Sequence, residues 1–579
     1  MANKKVTNEE GGNPKLVSLK RDQLSALLIF VLTLGFYTYT LLPSLAWGDG
    51  VKLQSEAISG ESFVLAEING DEFTPDPFIF SRVGVAAWDH PLYIVLGYLL
   101  VHAFPFVDSL WLVNFISALF GAASVALVFL LAYLRTDSIL ASCFASLSLA
   151  VSHTFWWHSS TPEVYTLFVF LLTVSFYFFD QFEKWGKIFP LFYSAIFFGL
   201  AASTHMMAFL AILALGLYYV SFQKEERKWG YSETQYLNSR VDRSFRISGL
   251  KKLVIPALGF LFGFSLYLLQ FIRMSTNFSL DEIMGPVVGS TFLIQLGTLS
   301  PILLGESLLR YLFFLTVQFG LIGLFLGGIG IRKIFEDKDS TLRKIVFFFI
   351  MFALFGIFYR VTDQFTFFIP SYVFWALLMG IGLHYILGLI PEKKHFVLLI
   401  ILGLLLLVTP FFYNALPYVA ERNGFNDASI GIPEIGAGIR DGLTYYINPN
   451  KRGDKQAYDF GYQTISNLAP DSLVIAEWYT DTDEYFILRY FNKIKKVRPD
   501  VTVVGWPTQD PFSFDSQLAL DLIENSFSAQ PVYLASLSDT FYAASNLIEM
   551  YCVIPENNLY RLYLKGEDLQ CLGSDSVTE

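Results

Sequence analysis

Charge is scarce in this sequence: only 16% of its 579 residues are Asp, Glu, Lys or Arg, against about 25% in soluble domains. That scarcity excludes an ordinary soluble enzyme. Cysteine is scarcer still, and three residues are too few for a disulfide-built scaffold. No internal repeat is visible, so the inverted-repeat plan of many secondary transporters finds no support. What the chain has is apolar mass, with 54% hydrophobic residues and 58 phenylalanines.

A membrane-spanning helix needs about 20 mostly apolar residues. Eleven such runs are read at roughly 23–43, 111–134, 138–153, 162–180, 188–203, 206–222, 252–273, 308–331, 344–360, 366–390 and 395–416. With the N-terminus in the cytoplasm, 23 of the 40 basic residues fall on inner segments and five on outer loops before residue 417. A bias of that size fixes orientation. The first run opens with charges and lacks a small-residue cleavage site, so it reads as a retained anchor rather than a signal peptide. The stretch 91–106 is short and broken by Pro105, and is placed as a helix lying at the outer interface.

After the last run, short β-rich segments alternate with helical ones: strands near 472–477, 501–506, 532–535, 551–554 and 559–564, helices near 484–495, 513–526 and 539–549. The expected organisation is a cytoplasmic tail (1–22), a transmembrane domain (23–416, first outer loop 44–110) and an extracytoplasmic α/β domain (417–579). Cys552 and Cys571 then share a compartment that permits a disulfide, with two free thiols the alternative.

Polar groups near membrane depth are functional candidates, and here they gather on the outer side. Asp49 follows the first span between two glycines and reads as a general base, or as an Asp in a glycine turn. Asp89 and Pro91 suit the start of a helix, whereas His90 between them is free to face a substrate. His153, His158 and Glu163 occupy an outer hairpin in which Trp156 and Trp157 read as an aromatic belt. Their spacing matches no recognised metal motif. His205, Arg273 and Arg360 sit at outer ends of spans, with Asp363 close by; the cations either snorkel or together form a patch for a lipid phosphate. The inner side shows basic anchors without a comparable mixture. In the outer domain, residues 477–484 lie between a strand end and a helix start, where capping is the simpler reading.

These residues carry a resemblance. An acid after the first span, an interfacial helix opening with His-Pro, and a span ending in a basic residue resemble the GT-C membrane glycosyltransferases. The likeness is closer to a family grouped with protein O-mannosyltransferases, domain of unknown function 2723. Gly48-Asp49, His90-Pro91-Leu92-Tyr93, Asn114 to Gly121, Thr154-Phe155-Trp156 and Glu163-Val164-Tyr165 are similar to its motifs, as are His205, Arg273, Asp363, Pro370 to Tyr372 and Arg498 to Val501. Lys52 and Leu53 stand where that family has Glu and Phe, and the interval from Asp49 to His90 is long.

The resemblance implies an α-helical polytopic protein with an outer α/β domain. It also implies transfer of a sugar, mannose or another hexose, from a polyprenyl or dolichyl phosphate to a hydroxyl of a protein or glycan acceptor, with inversion. Asp49 would be the base. Arg273, His205 and Arg360 would hold the donor phosphate, and Asp89, His90, His158, Glu163 and Asp363 would position substrate. No cofactor is firmly expected and a divalent metal stays open; membrane lipids are partners and nucleic acid is not. A transporter or flippase of a lipid-linked or anionic substrate is the rival reading.

Overall fold

The computed structural model describes residues 21–60, 90–229, 249–275, 300–336, 342–361, 363–426, 442–476, 484–505, 516–566, 569–573 and 576–577. The chain begins with α1 (Arg21–Tyr39), α2 (Asp49–Ser59), α3 (Pro91–Ala103), α4 (Ser109–Thr136) and α5 (Ile139–Ala150). It continues through α6 (His153–Ser160), α7 (Tyr165–Trp185), α8 (Ile188–Thr204), α9 (Leu210–Trp229), α10 (Gly249–Gly263) and α11 (Ser265–Met274). Then come α12 (Pro301–Glu336), α13 (Arg343–Phe358), α14 (Ile369–Leu389) and α15 (Glu392–Arg422).

A helix lies at each of the eleven apolar runs. Among the described residues, six helices are long and apolar enough to cross a bilayer, and eight if the bent pairs α5–α6 and α10–α11 each count as one span. The protein is an integral membrane protein, and backbone polar groups in lipid must pair within a helix.

Four local expectations change. The run at 138–153 stops at Ala150, because Ser152 turns extended and its hydroxyl donates to the Leu149 carbonyl (2.8 Å). The chain then re-enters a helix at 62°, so the hairpin expected at 153–160 is helical. The run at 252–273 bends by 70° between α10 and α11. The loop after α1 contains a helix, α2, that hydropathy did not mark. Helix α3 starts with Pro91 in its first turn, but its N-cap is His90, not Asp89, which lies outside the described residues.

Beyond the bundle, α16 (Gly442–Ile447) and α17 (Gln456–Asn467) precede β1 (Leu473–Ala476), α18 (Glu484–Arg489), β2 (Thr502–Gly505), α19 (Ser516–Phe527) and β3 (Val532–Leu534). The fold closes with α20 (Asp539–Tyr542), α21 (Ala544–Met550), β4 (Tyr551–Glu556) and β5 (Leu559–Leu564). The sheet order is β2-β1-β3-β5-β4. β1 runs parallel to β2 and β3, with Val474 opposite Val503 and Tyr533, and β5 pairs antiparallel with β3 and β4. Buried runs such as Leu473–Ala476 suit a parallel strand covered on both faces. Cys552 and Cys571 form a disulfide that ties the C-terminal tail to β4.

The α/β domain sits on the end of the bundle that carries α2 and α6. Leu45, Trp47, Val51, Leu110 and Trp157 share one apolar core with Tyr445, Phe460 and Tyr485. The Trp157 indole donates to the Tyr445 carbonyl (3.0 Å), and Lys451 N–H donates to the Thr40 carbonyl (2.9 Å). At the far end, Lys344 pairs with Asp180 and Glu183, and Arg135 pairs with Asp180. The expectation of basic anchors alone at that end is corrected: it holds a buried mixed-charge cluster.

Candidate active site

Asp49 owes its place to a clamp of buried amides. Gln54, on α2, accepts from Ala46 N–H (2.9 Å) and donates to the Ser44 carbonyl (3.0 Å) and to Asn114 Oδ1 (2.7 Å). Asn114, on α4, donates in turn to the carbonyls of Leu42 (2.9 Å) and Ser44 (3.0 Å). Both amides are fully buried, where an unmade hydrogen bond is costly. The loop from α1 is thereby fixed, and Gly48, at φ 62°, makes the left-handed turn that only glycine makes cheaply. Asp49 follows as the exposed first residue of α2.

Glu163 meets Asp49 because Gly50 lets α2 press on the residue before it. A Cβ at Gly50 would lie 2.7 Å from Ala46 Cβ and 3.1 Å from Pro162 Cγ. Ser117 Oγ of α4 pins Glu163, accepting from its N–H (3.0 Å) and donating to its carbonyl (2.9 Å). Burial, reinforced by the charges of Asp49 and Asp363, pushes the Glu163 carboxyl well above the ordinary glutamate range. Asp363 closes the group from the turn before α14, where it accepts from the Thr366 hydroxyl (3.3 Å).

Aromatic and imidazole rings wall this acid cluster. Tyr165, at the head of α7, hydrogen-bonds Thr366 and lies 5.2 Å from the His158 ring and 5.4 Å from the His205 ring. His158 is fully buried; its Nδ1 donates to the Thr154 carbonyl (2.8 Å), and its Nε2 has no hydrogen-bond partner among the described residues. His90 and His205 stack with centroids 5.5 Å apart. Burial lowers the pKa of His90 to about 4, with the nearby Lys52 charge adding to the effect, and that of His205 to about 3, assisted by His90. Both rings are neutral at physiological pH, so His205 brings a hydrogen bond rather than positive charge to any phosphate.

The fold therefore gathers Asp49, Glu163, Asp363, His158, His90 and His205. Arg360 follows α13, half-buried, three residues before Asp363. Arg273 falls near the end of α11 and its side chain lies outside the described residues, as does Asp89. Three members escaped the sequence reading as site residues. Lys52 is buried one turn after Asp49, Tyr165 bridges the rings to Asp363, and Arg310 of α12 donates to Gln364 Oε1 (3.1 Å) beside Asp363. The i,i+3 spacing of Asp49 and Lys52 was the available signal, and it speaks only once α2 is known to be helical. Among the described residues, no three His, Cys, Asp or Glu side chains group closely enough to hold a metal ion.

Residues 89–229 match the family model for the N-terminal domain of the protein O-mannosyl-transferase TMEM260. No curated protein matches the chain. Among solved structures, ArnT from Cupriavidus metallidurans bound to undecaprenyl phosphate aligns with TM-score 0.50 and 14% identity, covering 93% of this chain and 97% of that one. AglB from Archaeoglobus fulgidus, in complex with an inhibitory peptide and a dolichol-phosphate, aligns at TM-score 0.49 and 11% identity over 94% and 75%. The Pmt1–Pmt2 protein O-mannosyltransferase complex of S. cerevisiae, bound to the sugar donor, aligns at TM-score 0.30 and 16% identity over 46% and 34%. The ArnT likeness speaks to fold, and the other two are too distant to argue from. Over residues 89–229 the chain is thus similar to the N-terminal domain of the TMEM260 protein O-mannosyl-transferase family, and its fold as a whole is similar to that of ArnT.

Proposed function

We propose that the protein is a glycosyltransferase that moves a sugar, mannose or another hexose, from a polyprenyl or dolichyl phosphate to an acceptor hydroxyl, in first place a protein Ser or Thr. The observation that carries this reading is the exposed Asp49 at the head of α2, set beside the partly buried Glu163 under the α/β domain. Two acids with contrasting surroundings divide the work of a base and a proton-holding partner. Asp49 takes the acceptor proton as that oxygen attacks the anomeric carbon. The bond from that carbon to the phosphate oxygen breaks, its electron pair leaves with the lipid phosphate, and the anomeric configuration inverts. Arg360 and Arg273 offset the charge that grows on the departing phosphate. ArnT binds undecaprenyl phosphate, which supports the donor class. The charge bias of the loops supports a cytoplasmic N-terminus and an outer site in the plasma membrane or its equivalent.

The test is transfer from radiolabelled mannosyl phosphopolyprenol to Ser/Thr peptides by the purified protein. The expected product carries a new glycosidic bond of inverted configuration. Asp49→Asn should fold normally and lose at least about 100-fold in rate, the scale of a missing general base. Movement of the labelled lipid between leaflets without a new bond would instead identify a flippase, and full activity of the variant would remove Asp49 as the base.

A further inference from the structure

The two stacked imidazoles are fixed in opposite senses. His90 Nδ1 lies 2.7 Å from the Thr204 carbonyl, which only accepts, so this nitrogen carries the proton and Nε2 offers a lone pair. His205 Nδ1 lies 3.1 Å from Met207 N–H, which only donates, so here Nδ1 is the acceptor and Nε2 carries the proton. Both Nδ1 atoms are tied to the same 204–207 turn, so both Nε2 atoms point away from it. Among the described residues neither Nε2 has a hydrogen-bond partner. Tyr165, Phe168 and Phe367 surround the His205 ring with centroids 5.4, 5.6 and 6.0 Å away. Burial is the main cause that keeps both rings from taking up a second proton, as the low pKa values given above express.

A lipid phosphate asks for donors only, and His90 presents an acceptor. One donor beside one acceptor suits hydroxyl groups, which take both roles. We propose that His90 and His205 are a specificity pair that reads neighbouring hydroxyls of the donor sugar and leaves the phosphate to the arginines. The inference rests on the transferase reading and adds to it which part of the donor these residues hold. It also reassigns His205, which the sequence placed with the phosphate ligands.

Full-length protein in lipid nanodiscs, labelled with nitrogen-15 at histidine, tests the protonation states directly by NMR. The expected spectrum has the proton of His90 on Nδ1 and that of His205 on Nε2; the same tautomer on both rings, or an imidazolium at neutral pH, overturns the proposal. Equilibrium binding of mannosyl phosphopolyprenol and of polyprenyl phosphate without sugar tests the role. His205→Asn cannot place a donor where Nε2–H stood and should weaken the mannosyl lipid about tenfold, one hydrogen bond's worth. His205→Gln reaches that position and should stay within about threefold. Neither change should alter binding of the bare phosphate. Equal losses for both lipids would assign the pair to the phosphate and refute the proposal. Failure of the unsubstituted protein to bind either lipid would instead refute the donor class on which the reading stands.

Discussion

Glu163 is the carboxyl of the candidate site that burial raises well above its ordinary range. Folded, it holds its proton well above the ordinary glutamate value; unfolded, it titrates near about 4.3. The folded state therefore binds more protons as pH rises past that value, and stability falls across the window between the unfolded and folded pKa. Glu163→Gln keeps the shape and removes the titration. Its melting temperature should match that of the unsubstituted protein near about pH 4 and exceed it near about pH 7, with transfer kept within about tenfold. A loss of 100-fold would make Glu163 a proton-transfer group in its own right. Asp49 and the histidines were legible in the sequence because polar groups beside apolar spans stand out. Glu163 and Asp363 were named for the same reason, but not their meeting with Asp49: they come from distant turns, and the packing of Gly50 on Pro162 and the Ser117 clamp bring Glu163 to it.

Elements were read well where length and hydropathy agree, and poorly where they do not. α2 has 11 residues, many of them polar, so nothing distinguished it from loop. The bend at Ser152 depends on one hydroxyl returning to the backbone, below the resolution of any hydropathy window. The far end of α7 held another surprise: Asp180 and Glu183 are neutralised by Lys344 and Arg135 from α13 and α4. Removing one member of a buried cluster leaves uncompensated charge, at a cost of about 3–5 kcal/mol. Lys344→Ala should therefore lower stability by that amount in denaturation, while the affinity for the proposed donor, whose candidate site lies at the opposite end of the bundle, stays unchanged. A stable variant with altered donor affinity would mean that the two ends are coupled through α13.

At the scale of the whole molecule, the account depends on the α/β domain and Asp49 sharing one face. Trp47 packs against Phe460 with tilted rings, centroids 5.6 Å apart, and Trp157 reaches the Tyr445 carbonyl, so the acid that opens α2 and the α/β domain are parts of one surface. The alternating strands and helices of that domain were legible from residue 472 onward, whereas its seat on the bundle rests on aromatic contacts between segments far apart in the chain. That shared surface makes the sidedness of the reaction a property of the fold. The most direct measurement uses sealed vesicles whose orientation is set by an impermeant thiol reagent on Ser545→Cys, with a radiolabelled lipid-phosphate donor in the membrane and a membrane-impermeant Ser/Thr peptide on one side only. The account predicts that the peptide acquires sugar only on the side where residue 545 is labelled, and that Asp49→Asn abolishes it; transfer to peptide on the opposite side, or transfer undiminished in the variant, would contradict it.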